Sequence, residues 1–163
     1  MPTPDQVTHH VVKGEDAELQ DVLVTGQLDV TGASTFTGAA TFSGALSQST
    51  EAVTATVGGG TTGLITAGSR FVTITCDTAT KQVSLPAASV GDEITLYIGA
   101  TGCEIISAVA ADKINEVVVG ATNELAMPAT SMIHLVYFAA DNWHARGWDT
   151  DGTALAALTP DGL

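Results

Sequence analysis

The chain has 163 residues, 45% of them hydrophobic but only 5% aromatic, with 17 glycines and a formal net charge of −13 from 18 acidic residues against Lys13, Arg70, Lys81, Lys113 and Arg146. That length allows one domain of ordinary size plus an extension, and the small-residue, Thr- and Ala-rich composition predicts β structure. The charge argues against a nucleic-acid partner, which needs Lys and Arg to neutralise phosphates. No run approaches the roughly 18 apolar residues of a membrane span.

Residues 1–23 read as an N-terminal arm. Met1-Pro2-Thr3-Pro4-Asp5 lacks the charged and apolar regions of a secretory signal, so the expectation is synthesis in the cytoplasm. The arm ends in the acidic run Glu15-Asp16-Ala17-Glu18 followed by Leu19, Val22 and Leu23. An acidic surface of this kind keeps a crowded assembly soluble.

Residues 24–46 carry Gly26, Gly32, Gly38 and Gly44 six positions apart, each behind a small hydroxyl residue and an apolar one. Fixed periodicity marks a repeat architecture. Thr, Val and Phe favour extended backbone, and Gly supplies a turn or a close approach. A lone apolar stripe has nothing to bury against at about 25 cal/mol per Å², while ordering it costs about 1–2 kcal/mol per residue. Three chains wound together would place Val24, Leu28, Val30, Phe36, Phe42 and Leu46 inward, so the segment is expected to be an intertwined trimerisation shaft. Four hexads are too few for a single-chain hexapeptide β-helix.

Residues 47–63, rich in Ser, Thr and Gly and ending Val57-Gly58-Gly59-Gly60-Thr61-Thr62-Gly63, read as a linker. From 64 to 150 short apolar runs alternate with turn residues, the pattern of a β-sandwich. The expected strands are Phe71–Cys76, Gln82–Leu85, Glu93–Ile98, Cys103–Val109, Asn115–Val119, Asn123–Ala126, Met132–Ala139 and Trp143–Trp148. Ile133–Phe138 is apolar on both faces, which suggests one face on the core and the other on a neighbouring subunit. Residues 151–163 form a polar, small-residue tail expected to pack on a partner or fray.

The search for chemistry returns little. His9-His10 sits on the arm, where successive side chains diverge. His134 is in phase with Met132, Val136 and Phe138, and reads as a partly buried, satisfied histidine. His144 shares a face with Arg146 and Trp148. No serine has the setting of a nucleophile elbow. Gly58-Gly59-Gly60 is not followed by the Lys-Ser/Thr of a phosphate loop. Cys76 and Cys103 lack the close spacing of a metal pair and read as small reduced hydrophobes. Asp149-Thr150-Asp151-Gly152 imitates the start of a calcium loop but lacks its terminal Glu, and reads as a surface turn. Trp143 and Trp148 are candidate aromatics for a receptor or an interface, with packing in a core as the competing reading. The expectation is a protein without catalytic, metal or cofactor residues.

Val83-Ser84-Leu85-Pro86-Ala87-Ala88, Gly91-Asp92, Gly99-Ala100-Thr101-Gly102, Glu104-Ile105-Ile106, Asp112-Lys113-Ile114-Asn115 and Asp141-Asn142-Trp143 occur in that order. This half of the chain resembles a small β-sandwich module of tailed-phage virion proteins, and the hexads from Leu28 to Gly38 are similar to the shaft repeats of phage fibres and spikes. The resemblance spans about three quarters of the chain. It implies an all-β homotrimer: arm, hexad shaft, then a jelly-roll-like sandwich, acting by contact on the capsid exterior. The short shaft fits a capsid decoration (cement) protein or head fibre whose partner is the major capsid protein. The alternative is a short tail fibre or spike whose sandwich contacts host surface glycans. A hydrolytic enzyme would need clustered carboxylates or a base in a cleft, and no spacing in the sequence supplies one.

Overall fold

Strict alternation of apolar and polar residues, as in Phe71-Val72-Thr73-Ile74-Thr75, gives a strand one buried and one open face. In the computed structural model this alternation is realised across two sheets. The structure describes residues 48–58, 63–120 and 123–162, all within one compact unit, Gly44–Leu163. The shaft residues Val24, Leu28, Val30, Phe36, Phe42 and Leu46 therefore lie outside the described residues, as does the arm.

The described chain is all-β, with eleven strands: β1 Thr50–Thr54, β2 Phe71–Thr75, β3 Gln82–Leu85, β4 Glu93–Ile98, β5 Cys103–Ser107, β6 Lys113–Ile114, β7 Val117–Val118, β8 Asn123–Met127, β9 Ser131–Ala139, β10 Asn142–Asp149 and β11 Asp161–Gly162. Seven form one sheet in the order β1-β2-β4-β9-β10-β6-β7, and four form the other in the order β11-β8-β5-β3. Both sheets contribute to one core. Val72, Ile74, Leu96, Ile98, Ile133, Leu135 and Trp143 come from the larger sheet, and Val83, Leu85, Ile105, Leu125 and Met127 from the smaller.

The connectivity departs from a jelly roll, which is built of antiparallel Greek keys. From β2 to β5 the chain alternates between the sheets, so β2 pairs with β4 in parallel and β3 pairs with β5 in parallel. Antiparallel pairing appears later, in β4–β9 and β9–β10. Parallel neighbours need a crossover connection, and here the opposite sheet supplies it.

Three segments correct the sequence-based reading. Residues 47–63, expected as a linker, contain β1, which pairs in parallel with β2 from Thr50↔Phe71 to Thr54↔Thr75. Its anchor is Glu51, whose carboxylate accepts hydrogen bonds from Thr66 N–H at 2.9 Å and Thr66 Oγ1 at 2.8 Å and from Ser69 Oγ at 2.8 Å. The expected strand Asn115–Val119 is instead the turn and second arm of a hairpin joining β6 to β7. Asn115 (φ 48°) and Glu116 (φ 72°) form the two-residue loop, the left-handed pair such a turn demands. Asn115 also clamps β10: its Oδ1 accepts Ala145 N–H at 2.9 Å, and its Nδ2 donates to Ala145 O at 3.2 Å and Leu158 O at 2.6 Å. Finally, the tail folds onto its own chain. Leu155 N–H donates to Gly147 O at 2.9 Å, Leu155 and Leu158 pack on the core, and β11 pairs with β8. At Gly147 a Cβ would lie 2.6 Å from Ile133 Cδ1 and 2.7 Å from Leu155 Cδ1, so a larger residue would have to displace both side-chain ends.

Candidate interaction surface

A seven-stranded sheet packed on one side leaves its other side to solvent or to a partner. On β2, β4, β9 and β10 the inward residues Val72, Ile74, Ile94, Leu96, Ile98, Ile133, Leu135, Tyr137, Trp143 and Ala145 are buried. The outward positions are far from uniformly polar. Phe71, Tyr97, Met132 and Phe138 are each between 42% and 49% exposed, a large exposure for residues of that size.

Register aligns these side chains in rows. Ala52 faces Thr73, Thr73 faces Tyr97, Tyr97 faces Met132, and Met132 faces Trp148, across five adjacent strands. A second row runs Thr50, Phe71, Thr95, His134, Arg146. A third runs Glu93, Val136, His144. Cross-strand neighbours lie about 4.5–5.5 Å apart at Cβ, so each row is one continuous surface. The Phe138 ring meets His144 edge-on with centroids 6.0 Å apart.

Charge on this face is lighter and more basic than the chain's average. His134 Nε2 lies 3.9 Å from the Glu93 carboxylate, and Arg146 Nε donates to His144 Nε2 at 3.2 Å. Glu93 is the one carboxylate in the three rows, on a protein of net charge −13. Two copies can therefore approach through this face with less mutual repulsion than elsewhere.

The two candidate tryptophans are separated by this geometry. Trp143 and Trp148 are five positions apart, an odd spacing, so they point to opposite sides of β10. Trp143 is fully buried, its ring edge-on to Tyr137 with centroids 5.0 Å apart. It belongs to the core and is not open to a sugar. Trp148 is half-buried at the end of the Tyr97–Met132 row. His134 is half-buried, and His144 and Arg146 are exposed, all on the outward face that their spacing predicts.

Two polar groupings escaped the sequence reading because their members are far apart in the chain. Asp112, 1% exposed, accepts hydrogen bonds from Ser107 Oγ at 2.7 Å and Tyr137 Oη at 3.4 Å, while Tyr137 Oη accepts Asp141 N–H at 2.8 Å. This satisfies a buried carboxylate at the end of the sandwich. On the smaller sheet, Gln82 Nε2 donates a short hydrogen bond to Glu124 Oε2, with Glu104 and Asp161 beside it. Burial first, then the hydrogen bond and charge of Glu124 and the charge of Asp161, push the Glu104 carboxyl up to about 7. Burial and the neighbouring like charges both favour the protonated form of Glu104.

The calcium-like segment is a turn stitched by its own backbone: Asp149 Oδ1 accepts Asp151 N–H at 3.2 Å and Thr153 N–H at 2.9 Å. Among the described residues no three His, Cys, Asp or Glu side chains converge in a metal-holding geometry. The outward face thus alternates an aromatic and aliphatic row with a row that carries His134 and Arg146. Compared with known proteins, the chain matches no family model, no curated protein and no solved structure.

Proposed function

We propose that the chain is a structural virion protein, a homotrimeric capsid decoration (cement) protein or head fibre that bridges and stabilises capsid subunits. The observation that carries this reading is the row Tyr97–Met132–Trp148 with Phe71 diagonal to Tyr97, large apolar side chains left partly open on one copy. Surfaces of this kind on a single chain mark contact with another chain. The hexads at residues 24–46 supply a second trimer-forming element with the same requirement. Three arms on one body then bind a shell far more tightly than one arm, without any new contact. A ligand selective for the assembled shell stabilises it in proportion to occupancy. The test compares purified shells with and without this protein. Earlier rupture on heating or at low ionic strength is expected of the bare shells, and equal survival would contradict the role.

The same aromatic row favours a second reading, a short tail fibre or receptor-binding spike. Exposed Tyr97 and half-buried Trp148 present ring faces of the kind that stack on sugars. Labelling the protein on virions distinguishes the two, on the head for decoration and at the tail tip for adhesion.

A further inference from the structure

Two cysteines 27 positions apart lie in different sheets of one sandwich. Cys76 directly follows β2 of the larger sheet, and Cys103 opens β5 of the smaller. Both are free thiols, Cys76 half-buried and Cys103 buried. A chain of hydrogen bonds places them at the same end of the sandwich. Cys76 Sγ donates to Thr78 O at 2.7 Å, the same carbonyl accepts Lys81 N–H at 3.1 Å, and Lys81 O accepts the N–H of Glu104, the residue after Cys103, at 2.9 Å. Cys76 packs against the core cluster to which Cys103 belongs.

We propose that Cys76 and Cys103 form a redox site: in an oxidising compartment they close into a disulfide that ties the two sheets together, and in a reducing cytoplasm they stay as thiols. The oxidant is a small-molecule disulfide such as oxidised glutathione. Cys76, the accessible partner, attacks as the thiolate and expels one glutathione thiolate, leaving a mixed disulfide. Cys103 then gives its proton to solvent, attacks the Cys76 sulfur and expels the second glutathione. Two protein thiols have lost two electrons and two protons, and the oxidant has become two thiols. Burial first, then the charge and hydrogen bonding of the neighbouring Cys76, push the Cys103 thiol up to about 12. Closure therefore speeds up as pH rises. The bond would restrain the unfolded chain across a loop of this length and so raise the melting temperature. The inference is independent of which assembly the chain joins.

The test equilibrates the full chain with oxidised and reduced glutathione over a range of ratios, then reads free thiols by mass after alkylation and follows thermal unfolding. The expected result is joint loss of both thiols, a mass lower by two hydrogens, and a melting temperature higher by roughly 5–15 °C, all reversed by dithiothreitol. Cys103→Ser should instead retain one glutathione on Cys76 with no rise in melting temperature. Should that variant not fold, Cys76→Ser, changed at the half-exposed position, gives the parallel control: no closure, no shift, and Cys103 unreactive in the folded state. A wild-type chain that stops at the mixed disulfide, links two copies through Cys76, or melts no higher when oxidised would overturn the proposal.

Discussion

Tyr97 stands directly opposite Met132 across the β4–β9 ladder, on the side of the sheet away from the core. Tyr97 is 48% exposed and Met132 42%, so each covers its neighbour only in part. This pair sits at the middle of the row from Ala52 to Trp148 on which the proposed assembly rests. Met132→Glu adds a charge there without touching the core. The expected outcome is a folded chain whose unfolding midpoint depends less steeply on protein concentration, with intrinsic stability changed by less than about 1 kcal/mol. Chemical denaturation at several concentrations checks this.

The two tryptophans should respond very differently to truncation. Trp143 fills the core against Tyr137, so Trp143→Ala should cost about 3–5 kcal/mol or prevent folding. Trp148→Ala, on the outward face, should cost the isolated chain under about 1.5 kcal/mol while weakening self-association. Urea unfolding monitored by circular dichroism separates the two effects.

Asn115 is the joint between the hairpin and β10. Asn115→Ala removes three hydrogen bonds and places alanine at φ 48°, for an expected loss of about 2–4 kcal/mol. Asn115→Asp tolerates the same backbone and keeps the acceptor for Ala145 N–H, so an intermediate loss should follow. Equal losses in the two variants would mean that the acceptor oxygen and the tolerated backbone contribute nothing, and that the Nδ2 donors carry the whole effect.

The smaller sheet should carry a pH dependence. The Glu104 carboxyl is raised from 4.5 to about 7 in the folded protein, so the folded state holds a proton that the unfolded state has released. The stabilisation is complete below pH 4.5 and is lost as pH rises towards 7. Glu104→Gln mimics the protonated form, so it should flatten this decline and raise stability at pH 8. Urea midpoints from pH 4 to pH 8 for both proteins provide the check. An unchanged slope in the variant would remove Glu104 as the cause.

Much of the sandwich is legible in the sequence, for physical reasons that also explain the failures. Gln82–Leu85 and Glu93–Ile98 fall where expected because Pro86, Gly91 and Gly99 bound runs of β-forming residues. Thr50–Thr54 is hidden because its neighbours are Ser and Gly, and its stability comes from distant partners, Phe71–Thr75 and the Thr66–Ser69 turn that holds Glu51. Asn115-Glu116 was hard to see as a hairpin because glutamate rarely takes a left-handed φ. Alternation within β9 exposed the outward apolar set before any fold was known. The pairing of Tyr97 with Met132 and Trp148 was not legible, since register between strands is a non-local property. Parallel winding between sheets left no local trace either.

The proposed trimer is tested by the size of the particle that the 163-residue chain forms in neutral solution. Light scattering coupled to size-exclusion chromatography should return the mass of three chains, with Met132→Glu dissociating at higher concentrations than the wild type. A wild-type protein that elutes and scatters as a single, cooperatively folded chain at all accessible concentrations would contradict it.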